Sequence, residues 1–278
     1  MEVLKLLNVC TNLDIILDKE IGVEGKNSKV YLGRDPQLGE ELVIKKIPKK
    51  DFLNQVEYFE EAQKLYKTNH PNIMEIQYAS QDSDFIYFAM PYLKNGSLNK
   101  LLSQRGLTLD EIIKYSLDFL SGLQYIHVKK IVHLDIKPTN LLLSDSNKLI
   151  ITDFGLSKYV DEHGFSSQDM FYCMHRPPES LLADKVTLKA DIYQSGITLY
   201  RMCNGNDCLK EQIKQLGIAT IQELFKAIIS GSFPNRKQYA KHVPQKLIKI
   251  INKAIEINPD NRYFTALDMM NDLSSIKA

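Results

Sequence analysis

The chain opens with apolar and polar side chains alternating in the period of two that suits a half-buried strand. Leu13-Asp14-Ile15-Ile16-Leu17 is followed, after a glycine-containing turn, by Val30-Tyr31-Leu32 and then by Leu42-Val43-Ile44-Lys45. This pattern predicts an antiparallel meander. From Asp51 to Asn69 the period lengthens: Phe52, Val56, Phe59, Ala62, Leu65 and Tyr66 recur at three- and four-residue spacing, and His70-Pro71-Asn72 stops the run, which predicts one helix interrupting the sheet. Short apolar runs return at 73–78 and 85–90, and the character changes at Lys94-Asn95-Gly96-Ser97. Beyond it, Thr108-Leu109-Asp110-Glu111 has the form of a capping box. It opens a helix that buries Ile112, Ile113, Leu117, Leu120, Leu123 and Ile126. Two short strands follow, near Ile131-Val132 and 148–152, and helical periods dominate from Ala190 onward. The expected architecture is α+β in two lobes, a β-rich one over 1–93 with a single helix and a mainly helical one over 94–278.

Composition narrows the function. With 278 residues, 44% hydrophobic and 25% charged, the chain can bury a substantial core near the size at which single cores divide. A formal net charge of +1 argues against nucleic-acid binding through bulk positive charge. The lobes differ, however: residues 1–93 carry 11 basic and 15 acidic side chains, net −4, leaving +5 for the remainder. The four cysteines form no CxxC pair, so neither a disulfide framework nor a zinc site is expected, and a reducing cytoplasm is the expected setting. The N-terminus lacks a basic region followed by a long apolar one, and no run of about 18 uncharged apolar residues occurs. Neither secretion nor a membrane span is expected.

Chemistry concentrates in three places. His133-Leu134-Asp135-Ile136-Lys137-Pro138-Thr139-Asn140 groups a carboxylate, an amine and an amide within a few residues, and thirteen residues after Asn140, behind the apolar Leu149-Ile150-Ile151, stands Asp153-Phe154-Gly155. Upstream, Leu42-Val43-Ile44-Lys45-Lys46-Ile47 ends an apolar strand on a lysine; strand alternation puts Lys46 on the opposite face from Lys45. Phosphoryl transfer needs a cation at the phosphates, metal ligands and a carboxylate at the attacking hydroxyl, and these segments carry residue types for all three. Together they resemble the H-R-D-x-x-x-x-N, D-F-G and V-A-I-K segments of eukaryotic-type serine/threonine protein kinases, and the resemblance covers nearly the whole chain.

The resemblance implies ATP and Mg2+ as cofactors and proteins as substrates. Asp135 would accept the substrate hydroxyl's proton, Lys137 would neutralise charge on the transferred phosphate, Asn140 and Asp153 would bind magnesium, and Lys45 would reach the α- and β-phosphates. Its ion-pair partner would be Glu61, with Glu60 as the alternative. Phe88-Ala89-Met90-Pro91-Tyr92-Leu93 looks like the kinase hinge, with Met90 as gatekeeper, the Pro91 carbonyl and Leu93 N–H facing adenine, and Val30, Val43 and Leu142 sandwiching the ring. Glu179 and Arg262 would form a buried ion pair.

Several positions depart from the family pattern. In Ile21-Gly22-Val23-Glu24-Gly25-Lys26-Asn27-Ser28-Lys29-Val30 only Gly22 and Gly25 remain of the glycine-rich loop, with Ser28 at the third glycine's place. Leu134 replaces the arginine that pairs with an activation-loop phosphate, which implies activity without phosphorylation of the 158–176 segment, although Ser166, Ser167 and Tyr172 stay candidates for autophosphorylation. Lys137 favours serine and threonine over tyrosine. Thr139 and Arg201 occupy places where arginine-directed kinases carry acidic residues, so no preference for upstream arginine is expected. The rival readings are a nucleotide-binding pseudokinase or signalling scaffold, for which the retained Lys45, Asp135 and Asp153 leave little room, and a small-molecule phosphotransferase. Pathway and oligomeric state are not specified by these residues.

Overall fold

The computed structural model describes residues 14–24, 28–51, 59–67, 69–167 and 173–276. Contacts divide the chain into two compact units. One runs up to Gln63 and includes Ile76–Tyr92; the other comprises Lys64–Glu75 and the chain from Leu93 onward.

The first unit is the expected antiparallel meander. Strands β1 (Ile16–Glu24), β2 (Ser28–Asp35), β3 (Glu40–Pro48), β4 (Tyr78–Gln81) and β5 (Phe85–Pro91) form one sheet in the order β1-β2-β3-β5-β4. Alternation assigns its faces. Leu42, Ile44 and Ala89 pack with Tyr31, Tyr78 and Tyr87, while Ile47, Ile86 and Phe88 pack with Phe59 and Ile76. Among the described residues one α-helix, α1 (Glu60–Lys67), starts in this unit and continues into the second from Lys64, and a 3₁₀ turn lies at Lys49–Asp51. Among the described side chains of the helix's expected inner face, Phe59 packs on the core but Tyr66 is exposed, and Lys64, which the pattern did not place inside, is buried. The apolar run 73–78 does not simply add a strand to this sheet. Ile73 bridges to Ile151 and Met74 N donates to the Ile151 carbonyl, both in the second unit, and the chain meets β5 from Gln77, whose N donates to the Ala89 carbonyl (2.9 Å) ahead of the ladder that opens at Tyr78.

The second unit is mainly helical: α2 (Leu98–Gln104), α3 (Leu109–Val128), α4 (Lys189–Asn204), α5 (Cys208–Gln215), α6 (Ile221–Ser230), α7 (Gln245–Ala254) and α8 (Ala266–Ser274). Thr108 caps α3 through the reciprocal capping box anticipated from its sequence, and Tyr115 and Phe119 join the expected leucines and isoleucines in its buried face. Short two-residue and three-residue strands carry the chemistry-bearing loops. They are β6 (Ile131–Val132), β7 (Leu141–Leu143), β8 (Leu149–Ile151), β9 (Lys158–Tyr159), β10 (Ser166–Ser167) and β11 (Lys185–Val186), paired as β6 with β9, β7 with β8 and β10 with β11. The α+β architecture expected from the patterning is therefore the one observed. No helix among the described residues is long and apolar enough to cross a membrane.

Candidate active site

The loop between β6 and β7 is held by α4 from below. Asp191, fully buried near the start of α4, accepts hydrogen bonds from His133 N (2.8 Å), Leu134 N (2.7 Å) and His127 Nε2 (2.8 Å). One turn on, the Gln194 amide accepts from Ile136 N (3.0 Å) and donates to the Leu134 carbonyl (2.8 Å). These two side chains satisfy a buried stretch of irregular backbone that would otherwise lie unpaired in the core. Leu134 is thereby fixed at φ +69°, a conformation that costs a non-glycine residue about 1–2 kcal/mol. Gln194 carries no local sequence signal for this role, which depends on a loop 58 positions away.

On this platform the loop's functional groups converge. Asp135 is buried, and its Oδ2 accepts from Lys137 Nζ (2.7 Å) and from Asn140 Nδ2 (2.7 Å), which also donates to the Asp135 carbonyl (3.0 Å). Asn140 in turn reaches the next motif, because its carbonyl accepts from Thr152 N at 3.0 Å. Asp153 follows with φ +63°, a second left-handed residue in the same region, and its Oδ1 accepts from Gly155 N at 3.3 Å. The turn beyond is tight, with the Phe154 carbonyl accepting both Ser157 N (2.9 Å) and Ser157 Oγ (2.7 Å). His133 packs edge-on against Phe154 with ring centroids 4.9 Å apart, and burial lowers its pKa, so it is a neutral core side chain. Asn140 and Asp153 offer oxygen donors, the hard ligands magnesium takes alongside phosphate oxygens, and the residues present fit that ion.

Leu134 is completely buried. It packs with Val132, Val186 and Ala190, and Leu156, Val160 and Leu188 lie against the same cluster. The position that carries an arginine in the family pattern is here part of an apolar seam joining the loop to both ends of the 156–188 segment. Within that segment Ser166 is buried and paired with Val186, so its hydroxyl is not presented for modification in this conformation; the Ser167 side chain and Tyr172 fall outside the described residues. Below the loop, His175 sits between Ile136 and Arg201, with Nδ1 on the Ile136 carbonyl (3.2 Å) and Nε2 facing Arg201 Nη1 (3.3 Å). Arg201 is also buried and reaches Asn99 at 3.0 Å as well as Asn206. The anticipated Glu179–Arg262 pair forms two parallel bonds of 2.7 and 2.6 Å.

The candidate nucleotide-binding residues of the first unit lie on its sheet. Lys45 is buried on β3, paired with Phe88, while Lys46 turns the other way and lies over the Phe85 ring at 3.9 Å. Gly22 pairs with Val30, and Ser28 opens β2 opposite Glu24, so neither uses a left-handed backbone; Gly25 falls outside the described residues. Val43 pairs with Met90, and Pro91 ends β5 opposite Leu42. Leu93 and Leu142 belong to the second unit, where the Leu93 carbonyl accepts from Gly96 N and Leu142 bridges to Ser97. Glu61 lies in the first turn of α1 with its side chain outside the described residues, and Glu60 is solvent-exposed.

A model of the family described as protein kinase domain matches residues 16–273. Among curated proteins, a probable serine/threonine-protein kinase of Clostridium acetobutylicum is 28% identical, with 94% of this chain and 39% of that protein aligned. The probable serine/threonine-protein kinase PknB of Lactococcus lactis is 30% identical over 92% of this chain and 41% of its own length. The serine/threonine-protein kinase PrkC of Bacillus subtilis is 30% identical over 90% of this chain and 39% of its own. The chain thus spans about two fifths of the length of these relatives.

Proposed function

The chain belongs to the protein kinase domain family, and from that premise we propose that it transfers the γ-phosphate of Mg-ATP to serine or threonine hydroxyls of protein substrates. The observation that carries this reading is the setting of Asp135, a buried carboxylate oriented by both Lys137 and Asn140. A carboxylate held in this way accepts the proton of an incoming hydroxyl as the oxygen attacks phosphorus. Lys137, already at the carboxylate, neutralises charge on the phosphate as it moves. ATP and Mg2+, when bound, supply the phosphoryl group and the charge neutralisation it needs. Asn140 and Asp153 would hold the metal, and Lys45, with Glu61 as its expected ion-pair partner, would hold the α- and β-phosphates. The backbone at Gly22, Gly25 and Ser28 would cover the phosphates. Val30, Val43, Met90 and Leu142 would supply apolar surface for adenine, and the Pro91 carbonyl and the Leu93 N–H would serve its polar edge.

Activity without phosphorylation of the 158–176 segment belongs to the same reading. What supports it is that Leu134 closes an apolar seam with Leu156, Val160 and Leu188, so an added phosphate would find no arginine there. A cytoplasmic setting fits the thiols of Cys173, Cys203 and Cys208, none of which is in a disulfide.

The test is transfer from Mg-ATP to a generic protein substrate with phosphosites mapped by mass spectrometry. The parent is expected to yield phosphoserine and phosphothreonine, before and after phosphatase treatment. D135N should lose about 10²–10⁴-fold in rate while keeping the parent melting temperature, and D153N should lose transfer at ordinary magnesium concentrations. A parent that transfers nothing, yet shows a magnesium-dependent rise in melting temperature with ATP, overturns the reading in favour of a nucleotide-binding scaffold.

A further inference from the structure

Lys64 is buried on α1, and its ammonium donates a 2.8 Å hydrogen bond to the Ser157 carbonyl with the Tyr159 ring 5.9 Å away. A methionine would fill such a place without the desolvation that a buried charge incurs. Among the contacts of the ammonium is a directional, charge-assisted bond to the Ser157 backbone carbonyl. That carbonyl belongs to the residue whose N–H and hydroxyl both close on Phe154, forming the turn directly behind Asp153 and its left-handed backbone.

We propose that Lys64 is a positioning residue for phosphoryl transfer: it ties the last turn of α1, from Lys64 onward, to the Phe154–Ser157 turn of the same unit and so holds Asp153 in its metal-binding conformation without any phosphate. The inference rests on the kinase reading above and names the ionic tie that accompanies the apolar seam at Leu134. Lys64 acts through Ser157 and touches neither nucleotide nor substrate.

The experiment compares the parent, K64M and K64R in three measurements: kcat with Mg-ATP and a protein substrate, thermal melting, and amide hydrogen exchange of 154–160 without nucleotide. K64M is expected to lose about tenfold in kcat at a melting temperature within a few degrees of the parent, with exchange in 154–160 at least fivefold faster; K64R, which keeps a cationic donor, should recover most of both. Unchanged exchange and unchanged kcat in K64M overturn the proposal, as does a rate loss that K64R does not relieve and that follows a fall in melting temperature. Exchange is read without catalysis. A parent that transfers no phosphate while K64M still loosens 154–160 therefore removes the kinase reading and leaves the tie standing, whereas an active parent with an indifferent K64M removes only the tie.

Discussion

At Leu134 one side chain decides between two ways of holding a loop. An arginine there would need an anion; the leucine needs only neighbours, and Val132, Val186, Ala190, Leu156, Val160 and Leu188 provide them. The residue keeps φ +69° because Asp191 and Gln194 bind the backbone on both sides of it, so the conformation belongs to the loop and not to the side chain. Restoring an arginine should therefore not restore control by phosphorylation. L134R would bury a guanidinium among aliphatic groups, and an uncompensated buried charge costs about 3–5 kcal/mol, so denaturant unfolding should show a loss of that size. L134A, which leaves a cavity but no charge, should cost about 2–5 kcal/mol and keep its residual transfer insensitive to phosphatase. A stable L134R whose activity rises on phosphorylation of the 158–176 segment would contradict the apolar seam as the holding device.

Between elements, the tie that matters most to the second unit is the bidentate pair of Arg262 with Glu179. The arginine side chain is 0% exposed, also donates to the carbonyls of Glu256, Lys189 and Ile257, and lies 4.9 Å over the Tyr193 ring. It thus joins the 3₁₀ turn Pro178–Leu181 to the start of α4 and to the chain before α8, where the Lys189–Asp260 ion pair (2.9 Å) adds a second link. Removing one partner leaves the other charge buried, so E179Q should destabilise by about 3–5 kcal/mol without moving Asp135, and chemical denaturation beside a transfer assay separates the two effects. Ties of this kind also set what the sequence could disclose. Asp135, Lys137 and Asn140 were legible because their chemistry requires fixed residue types within one short loop. The Asp191 and Gln194 clamps and the Lys64 tie span 57 to 93 positions, and no local period reports a hydrogen bond to a backbone carbonyl so far away. For the same reason the helical pattern promoted Tyr66 over Lys64: apolarity predicts what prefers burial, not which polar atom has found a partner inside.

Across the molecule, the fold class followed from a change of period near residue 93, whereas the apolar content of 73–78 does not say that Ile73 and Met74 meet Ile151. Titration is likewise a property of the assembled second unit, invisible in the chain. His133 and His175 are both wholly inside it, and both have lowered pKa values. For His133 the cause is burial, partly opposed by the Asp191, Asp135 and Asp153 carboxylates. For His175 burial leads and the Arg201 charge adds to it, since a proton on Nε2 would face a guanidinium 3.3 Å away while Nδ1 stays committed to the Ile136 carbonyl. In the unfolded chain both rings take up protons near pH 6.5, but in the folded one they resist. Below that value the unfolded state binds more protons, so stability is fully present above about pH 6.5 and falls as the pH drops, by at most about 1.4 kcal/mol per unit for each ring. Melting temperature should accordingly decline between pH 7 and 5. H175Q keeps an amide donor for Ile136 and an acceptor for Arg201 but cannot titrate, so its decline should be visibly shallower than the parent's over the same interval. A parallel decline in the two proteins would mean that the buried pair of His175 and Arg201 does not set the acid limit of this fold.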